Sequence, residues 1–348
     1  MAAEQIYISA EHWALILGKW REQYTVLAPL AEKRDLFFQP IDSGNAGRIV
    51  YDRVRAAQPL KSFLLPPLEE VAGVPNPSIR SLLFLGAKAC DLKALQILDH
   101  AFGGDFADPS YQARRERSVL VGTDCTDPLD TCCCTWVGGQ PYPTEEYDLN
   151  VSGVRGGFVV EVGSKKGRAL LAGFEGHLKT VVKEKKQAVV HQRKQTVQAV
   201  ERKNRAYRLS DKQKQVLVGA WDAAVWQKHS ETCVECGACN HACPTCHCYY
   251  LDDITRKAFV KLRGWDACQY TGYAVTAGGG TPRPRLVQRF RNRYFCKFDY
   301  LDENYGICGC TGCGRCIEAC QGKIDQRTAF FDLDAGRRRK GTRKNEPL

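Results

Sequence analysis

"CVECGACNHACPTC", residues Cys233 to Cys246, places five cysteines in fourteen positions, and a second burst, "CGCTGCGRCIEAC", runs from Cys308 to Cys320. Clustered cysteine serves disulfides, zinc or iron–sulfur clusters, and choosing among the three decides what kind of domain surrounds these stretches.

The first run reads Cys233-x2-Cys236-x2-Cys239-x3-Cys243-Pro244 and the second Cys310-x2-Cys313-x2-Cys316-x3-Cys320. This is the bacterial two-cluster ferredoxin spacing, in which the fourth cysteine of each run ligates the other cluster. Thiolates at every third residue of a loop wrap three corners of one cubane. The residue four positions on enters a helix, points away and closes the neighbouring site. Gly237, Gly309, Gly312 and Gly314 let the backbone approach and aim N–H groups at sulfur. Structural zinc sites usually pair two separated Cys-x2–4-Cys knuckles instead of one run of four. The expected ligands are Cys233, Cys236, Cys239 and Cys320 for one [4Fe–4S] cluster, and Cys310, Cys313, Cys316 and Cys243 for the other.

A chain of 348 residues suggests about two domains. Its 18 cysteines are sparser than in small disulfide scaffolds. The N-terminal "MAAEQIYISAEHWALILGKW" has no basic stretch before its apolar residues and carries Glu4 and Glu11, so it does not read as a secretory signal. No apolar run reaches the length of a membrane span. A reducing cytoplasm is expected, where clustered cysteines more often ligate metal than form disulfides.

The net charge of +11 is local: residues 183–208 hold nine Lys/Arg against two Glu, and "RRRKGTRK", 337–344, adds six positive charges. Such runs read as solvated faces or docking surfaces, and nucleic acid is not the expected partner.

Residues 1–180 alternate helical and strand patterns. Ser9 caps a helix whose Trp13, Ile16, Leu17 and Trp20 share a face, and "YTVLAPL" and "DLFFQPI" read as strands. "RSLLFLGA", 80–87, has buried-strand length and turns into "DLKALQILDHAF", with Asp91 as the expected N-cap; "SVLVGTD" and "FVVEVGS" are further strands. The fold class expected is an α/β N-terminal domain, 1–180, joined by a basic helical connector, 181–208, to a mainly α-helical two-cluster ferredoxin domain, 209–330, with a basic tail, 331–348. The 66 residues between the runs suit helical hairpins better than a compact ferredoxin. Arg283, Arg285, Arg289, Arg291, Arg293 and Lys297 either offset cluster charge or form an exposed helix face.

Ten cysteines lie outside the two sets. Cys133, Cys296 and Cys308 read as small buried hydrophobes, and Cys246, Cys248 and Cys268 have no assigned role. In "CTDPLDTCCCTW", Cys125, Cys132 and Cys134 gather in one loop, and Cys90 sits at a strand–helix turn. These four are candidate ligands of a third iron–sulfur cluster, with zinc and simple packing as alternatives.

The chain resembles the beta subunits of cytoplasmic hydrogenase and sulfhydrogenase complexes and the A subunit of anaerobic sulfite reductase. The resemblance is carried by "LGAKACDLKAL" (85–95), "DCTDPLDTCCCT" (124–135), "CVECGACNHACPTCHCYY" (233–250), "RGWDACQY" (263–270), "TAGGGTPRPRLVQRFRNRYFCKF" (276–298) and "CTGCGRCIEAC" (310–320), in that order. It implies a non-catalytic relay of single electrons between a flavin-bearing, NAD(P)H-oxidising partner and a catalytic oxidoreductase subunit: a hydrogenase, a sulfite reductase or a heterodisulfide-reductase-like module. Flavin is expected on the partner. Cys90, Cys125, Cys132 and Cys134 fall on cysteines of the family pattern. Departures are Cys133, where an aromatic is usual, Gln321 in place of a proline, and an unusually basic 183–208 segment.

Two other functions compete. One is a self-contained flavin-binding iron–sulfur oxidoreductase, but no G-x-G-x-x-G follows a strand, "AGGG" at 277–280 reads as a turn, and His241 and His247 read as supporting or packing residues. The other is a module whose clusters are purely structural.

Overall fold

A computed structural model describes residues 4–71, 80–104, 107–255 and 259–343; side chains are described to residue 339. The last residues of the expected tail therefore lie outside the described residues, while Gln326–Arg343 is a single helix.

The N-terminal α/β region is built on an eight-stranded mixed sheet. Its strands are β1 (Glu4–Ser9), β2 (Thr25–Glu32), β3 (Asp35–Pro40), β5 (Leu82–Ala87), β6 (Ser118–Thr123), β7 (Leu149–Val154), β8 (Gly157–Val162) and β9 (Lys179–Thr180), in the order β3-β2-β5-β6-β7-β8-β1-β9. β2, β5, β6 and β7 run parallel, and antiparallel pairs complete both edges. β5 and β6 are continuous apolar runs because both faces are covered. Leu83, Leu85, Val119 and Val121 face one core, with Trp13, Ile16, Leu17 and Trp20 of the helix Ala10–Gln23. Phe84 and Leu120 face the other, with Leu92, Leu95 and Leu98 of the helix Ala89–Gly103. Ser9 caps its helix as expected, accepting from the His12 amide.

The helix Lys183–Lys203 does more than connect. Val189, Thr196 and Val200 are buried along one face, and Val189 packs with Val159 and Val181. Arg193 lies on that face and holds two carboxylates, Nε to Asp124 Oδ2 at 2.7 Å and Nη2 to Glu161 Oε2 at 2.5 Å. Asn150 Nδ2 bridges the same two carboxylates at 3.0 Å each. Part of the basic segment is thus structural.

The C-terminal region packs short helices and the helix Leu286–Phe295 around Trp226, Phe290, Tyr294, Phe298 and Phe330. It also contains a feature absent from the expected, mainly helical domain: an antiparallel hairpin, β10 (Tyr249–Thr255) with β11 (Phe259–Trp265), lies between the two cysteine runs. The short β4 (Leu68–Glu70) joins β11 as a third strand. One small sheet therefore ties the two parts of the chain together.

Candidate iron–sulfur centres

The parallel strands β5 and β6 end side by side, and their carboxyl ends release Lys88-Ala89-Cys90 and Asp124-Cys125. Ligand sites of open α/β sheets lie at this end of the strands. The following loop returns Cys132 and Cys134, and all four cysteines line one cavity together with Arg55, Lys88 and Gly312. Cys313 of the second cysteine run lines the same cavity.

That contact is built into the backbone. The Cys133 amide donates to the Gly312 carbonyl at 2.7 Å. Gly312 has φ +65°, and a Cβ there would lie 2.4 Å from the Cys133 carbonyl oxygen; at Gly314, φ +76°, it would lie 2.5 Å from that of Thr131. Only glycine allows the two cysteine loops to approach so closely.

Cys233, Cys236, Cys239 and Cys320 line a second cavity, with Cys316, Arg293 and Tyr294. Short helices, Ala238–His241 and Arg315–Glu318, follow the left-handed Gly237 and Gly314 and carry the third cysteine of each run. Amides are aimed at sulfur: Gly312 N–H at Cys310 Sγ, 3.4 Å, and Ile324 N–H at Cys320 Sγ, 3.3 Å. Cys243 is buried beside Cys310 and Cys316, so the chain brings Cys310, Cys313, Cys316 and Cys243 into one neighbourhood.

Among the described residues no three His, Cys, Asp or Glu side chains converge on a single metal ion. The donor set fits iron–sulfur clusters in chemistry. Burial above all, with neighbouring cysteines adding to it, pushes the Cys132 and Cys134 thiols up to about 12, and a bound metal centre is what would hold such groups as thiolates.

Buried cations surround the sulfurs. The Lys88 ammonium is fully enclosed and donates to the Tyr51 carbonyl, Thr123 Oγ1 and the Asp124 carbonyl at 2.6, 2.8 and 2.8 Å. Burial lowers its pKa, while Cys125 beside it works the other way. Arg293 is opposed by burial, yet the sulfurs of Cys239, Cys316 and Cys246 raise it well above its ordinary value. Lys297 is likewise raised, against burial, by Cys243 and Cys246. Among the described residues neither Arg293 nor Lys297 has a carboxylate partner in an ion pair. A buried charge without one needs another source of negative charge, which anionic thiolate clusters would supply.

The run of arginines therefore divides. Arg289, Arg293 and Lys297, spaced every fourth residue, are buried, whereas Arg291 stacks on Trp221 at 3.6 Å. Asp91 is not the N-cap; Lys88 takes that position and Asp91 sits in the first turn, buried against Arg315. His241 stacks on Trp265 and pairs with the Tyr270 hydroxyl at 3.0 Å, and His247 Nδ1 contacts the Thr245 carbonyl at 2.9 Å. Both are supporting groups.

Residues 232–324 match the sequence profile of a 4Fe-4S dicluster domain. Over 339 residues, 95% of this chain and 98% of the relative, the sequence is 27% identical to Sulfhydrogenase 2 subunit beta of Pyrococcus furiosus. The chain is an iron–sulfur protein and a homologue of that subunit.

Proposed function

We propose that this homologue of a sulfhydrogenase beta subunit is the electron-transfer subunit of a cytoplasmic oxidoreductase complex. It takes electrons from a flavin-bearing, NAD(P)H-oxidising partner and delivers them to a catalytic subunit: a hydrogenase, a sulfite reductase or a heterodisulfide-reductase-like module. The carrying observation is the continuity of the thiol groups, since Cys313 belongs to the second ferredoxin-type run and also lines the cavity of Cys90, Cys125, Cys132 and Cys134.

In this reading Cys233, Cys236, Cys239 and Cys320 hold one [4Fe–4S] cluster, and Cys310, Cys313, Cys316 and Cys243 a second. Cys90, Cys125, Cys132 and Cys134 hold a third. Bound clusters of this kind supply one-electron chemistry at potentials between about −700 and +450 mV. The protein's own task is to hold the thiolates, exclude water and offset charge. Lys88 and Arg55 serve the N-terminal site, Arg293 the first-run cavity, and Lys297 the surroundings of Cys243.

The α/β domain (1–180), the helical segment (181–208), the ferredoxin-type domain (209–330) and the basic tail (331–348) divide the work, with the exposed Lys and Arg of 183–208 and the basic sequence 337–344 as docking charges. Nucleic acid is not a partner in this reading. No described helix is long and apolar enough to cross a membrane.

The test is anaerobic reduction. NAD(P)H alone should leave the visible absorption of the isolated chain unchanged, and adding the flavoprotein partner should bleach it. Direct reduction of the isolated chain by NAD(P)H, with flavin copurifying one per chain, would replace the relay by a self-contained oxidoreductase.

A further inference from the structure

Four cysteines near the hairpin remain unused by these sites: Cys246, Cys248, Cys268 and Cys296. The fold gathers them from three stretches of chain. Pairing of Tyr249 with Trp265 closes the base of the β10–β11 hairpin, and the Asp266 amide donates to the Cys248 carbonyl at 3.0 Å. Cys268 follows that turn, 7% exposed, and Asn240 Nδ2 donates to its sulfur at 3.1 Å. Cys248 lies beside Cys268 and the Tyr273 hydroxyl. Cys296, at the end of the helix Leu286–Phe295, neighbours Cys248 and Cys243.

Two ammonium groups converge on this pocket from opposite parts of the chain. Lys61, 3% exposed, donates to the carbonyls of Cys246 and Asn240 at 2.9 and 3.1 Å and lies over the Trp265 ring at 4.3 Å. Lys297, also 3% exposed, donates to Thr245 Oγ1 at 2.7 Å. The sulfurs of Cys246, Cys243 and Cys248 lie around Lys61, and those of Cys243, Cys246 and Cys296 around Lys297. Burial disfavours both charges and lowers the Lys61 pKa, so thiolate sulfur held in a metal centre here would stabilise both ammonium groups where neutral thiols would not.

We propose that Cys246, Cys248, Cys268 and Cys296 ligate a further iron–sulfur cluster, distinct from the two ferredoxin-type centres and from the Cys90 site. Ligation exchanges four S–H bonds for four Fe–S bonds and releases four protons, leaving an anionic centre between Lys61 and Lys297. Four thiolates serve either a [2Fe–2S] or a [4Fe–4S] cluster. The site lies at the foot of β10, whose Tyr249, Tyr250 and Leu251 are exposed, so it would bring a redox centre towards an open face of the molecule. Cys296 then becomes a ligand and not the buried hydrophobe its sequence context suggests.

The test is iron and acid-labile sulfide per chain in protein isolated without oxygen. The Cys248→Ala/Cys268→Ala variant should lose about two to four irons, with equal sulfide, and keep the rest. Iron equal to wild type overturns the proposal. Should that variant fail to fold, a Cys90→Ala/Cys125→Ala/Cys134→Ala chain decides, because its N-terminal site is destroyed. It should retain more than the roughly eight irons that two cubanes hold, and eight or fewer overturns the proposal.

Discussion

Asp91→Ala should destabilise the protein by about 3–5 kcal/mol, the cost of stripping one partner from a buried ion pair. The Asp91 and Arg315 side chains are each 1% exposed, and they meet twice, Nη1 to Oδ1 at 2.8 Å and Nη2 to Oδ2 at 3.0 Å. Asp91 follows Cys90 and Arg315 precedes Cys316, so the pair locks the N-terminal thiol site to the second cysteine run. Arg315 also donates to the carbonyls of Ala56 and Ala57. Without Asp91 the guanidinium loses its only carboxylate partner among the described residues and keeps the carbonyls of Ala56, Ala57 and Gln58 in a site sealed from water. Anaerobic urea denaturation measures the loss. The double variant Asp91→Leu/Arg315→Met should recover part of it, since an apolar pair of similar volume replaces a buried ion pair at little cost. A loss below about 1 kcal/mol for Asp91→Ala, the value of an exposed pair, would contradict the role assigned here.

Cys313→Ser should abolish electron transfer between the partner subunits while leaving each partner's own half-reaction with artificial donors or acceptors intact. Cys313 is assigned to the cluster of the second run and lines the cavity of the N-terminal site, so its loss opens the relay at its junction. Serine keeps the shape of the side chain and removes the soft thiolate that iron–sulfur clusters select. Cys308→Ser is the matched control. It lies two residues before Cys310, is partly buried and belongs to neither ligand set. Overall turnover unchanged in Cys313→Ser would show that electrons take another route.

The elements that sequence made legible are those governed by local pattern. Ser9 before an amphipathic stretch, and the apolar runs at 82–87 and 118–123, carry their signals within a few residues. So does the three-residue spacing of the cysteines. Asp91 was misleading because its partner is 224 residues away, and no local rule separates a capping aspartate from one reserved for a distant arginine. The hairpin at 249–265 was hidden for a different reason: β10 is exposed at nearly every position and shows no burial alternation to read.

Other misses had a readable signal. Val189, Thr196 and Val200 follow helical spacing and form the buried stripe of the helix Lys183–Lys203, and the partly buried Arg193 shares that spacing because two carboxylates receive it. Arg289, Arg293 and Lys297 recur every four residues, which marks one helix face turned inward, Arg289 onto Glu235 and Arg293 and Lys297 towards sulfur. Total charge concealed both faces, and periodicity of the basic residues would have separated them.

The most direct measurement is low-temperature paramagnetic resonance of the full chain, isolated without oxygen and then reduced with dithionite. Brown protein that yields signals of reduced [4Fe–4S] centres, weakened when Cys236 or Cys316 is replaced by serine, is the predicted result. Colourless, iron-free protein that remains silent after reduction would contradict the assignment of these thiols to redox clusters.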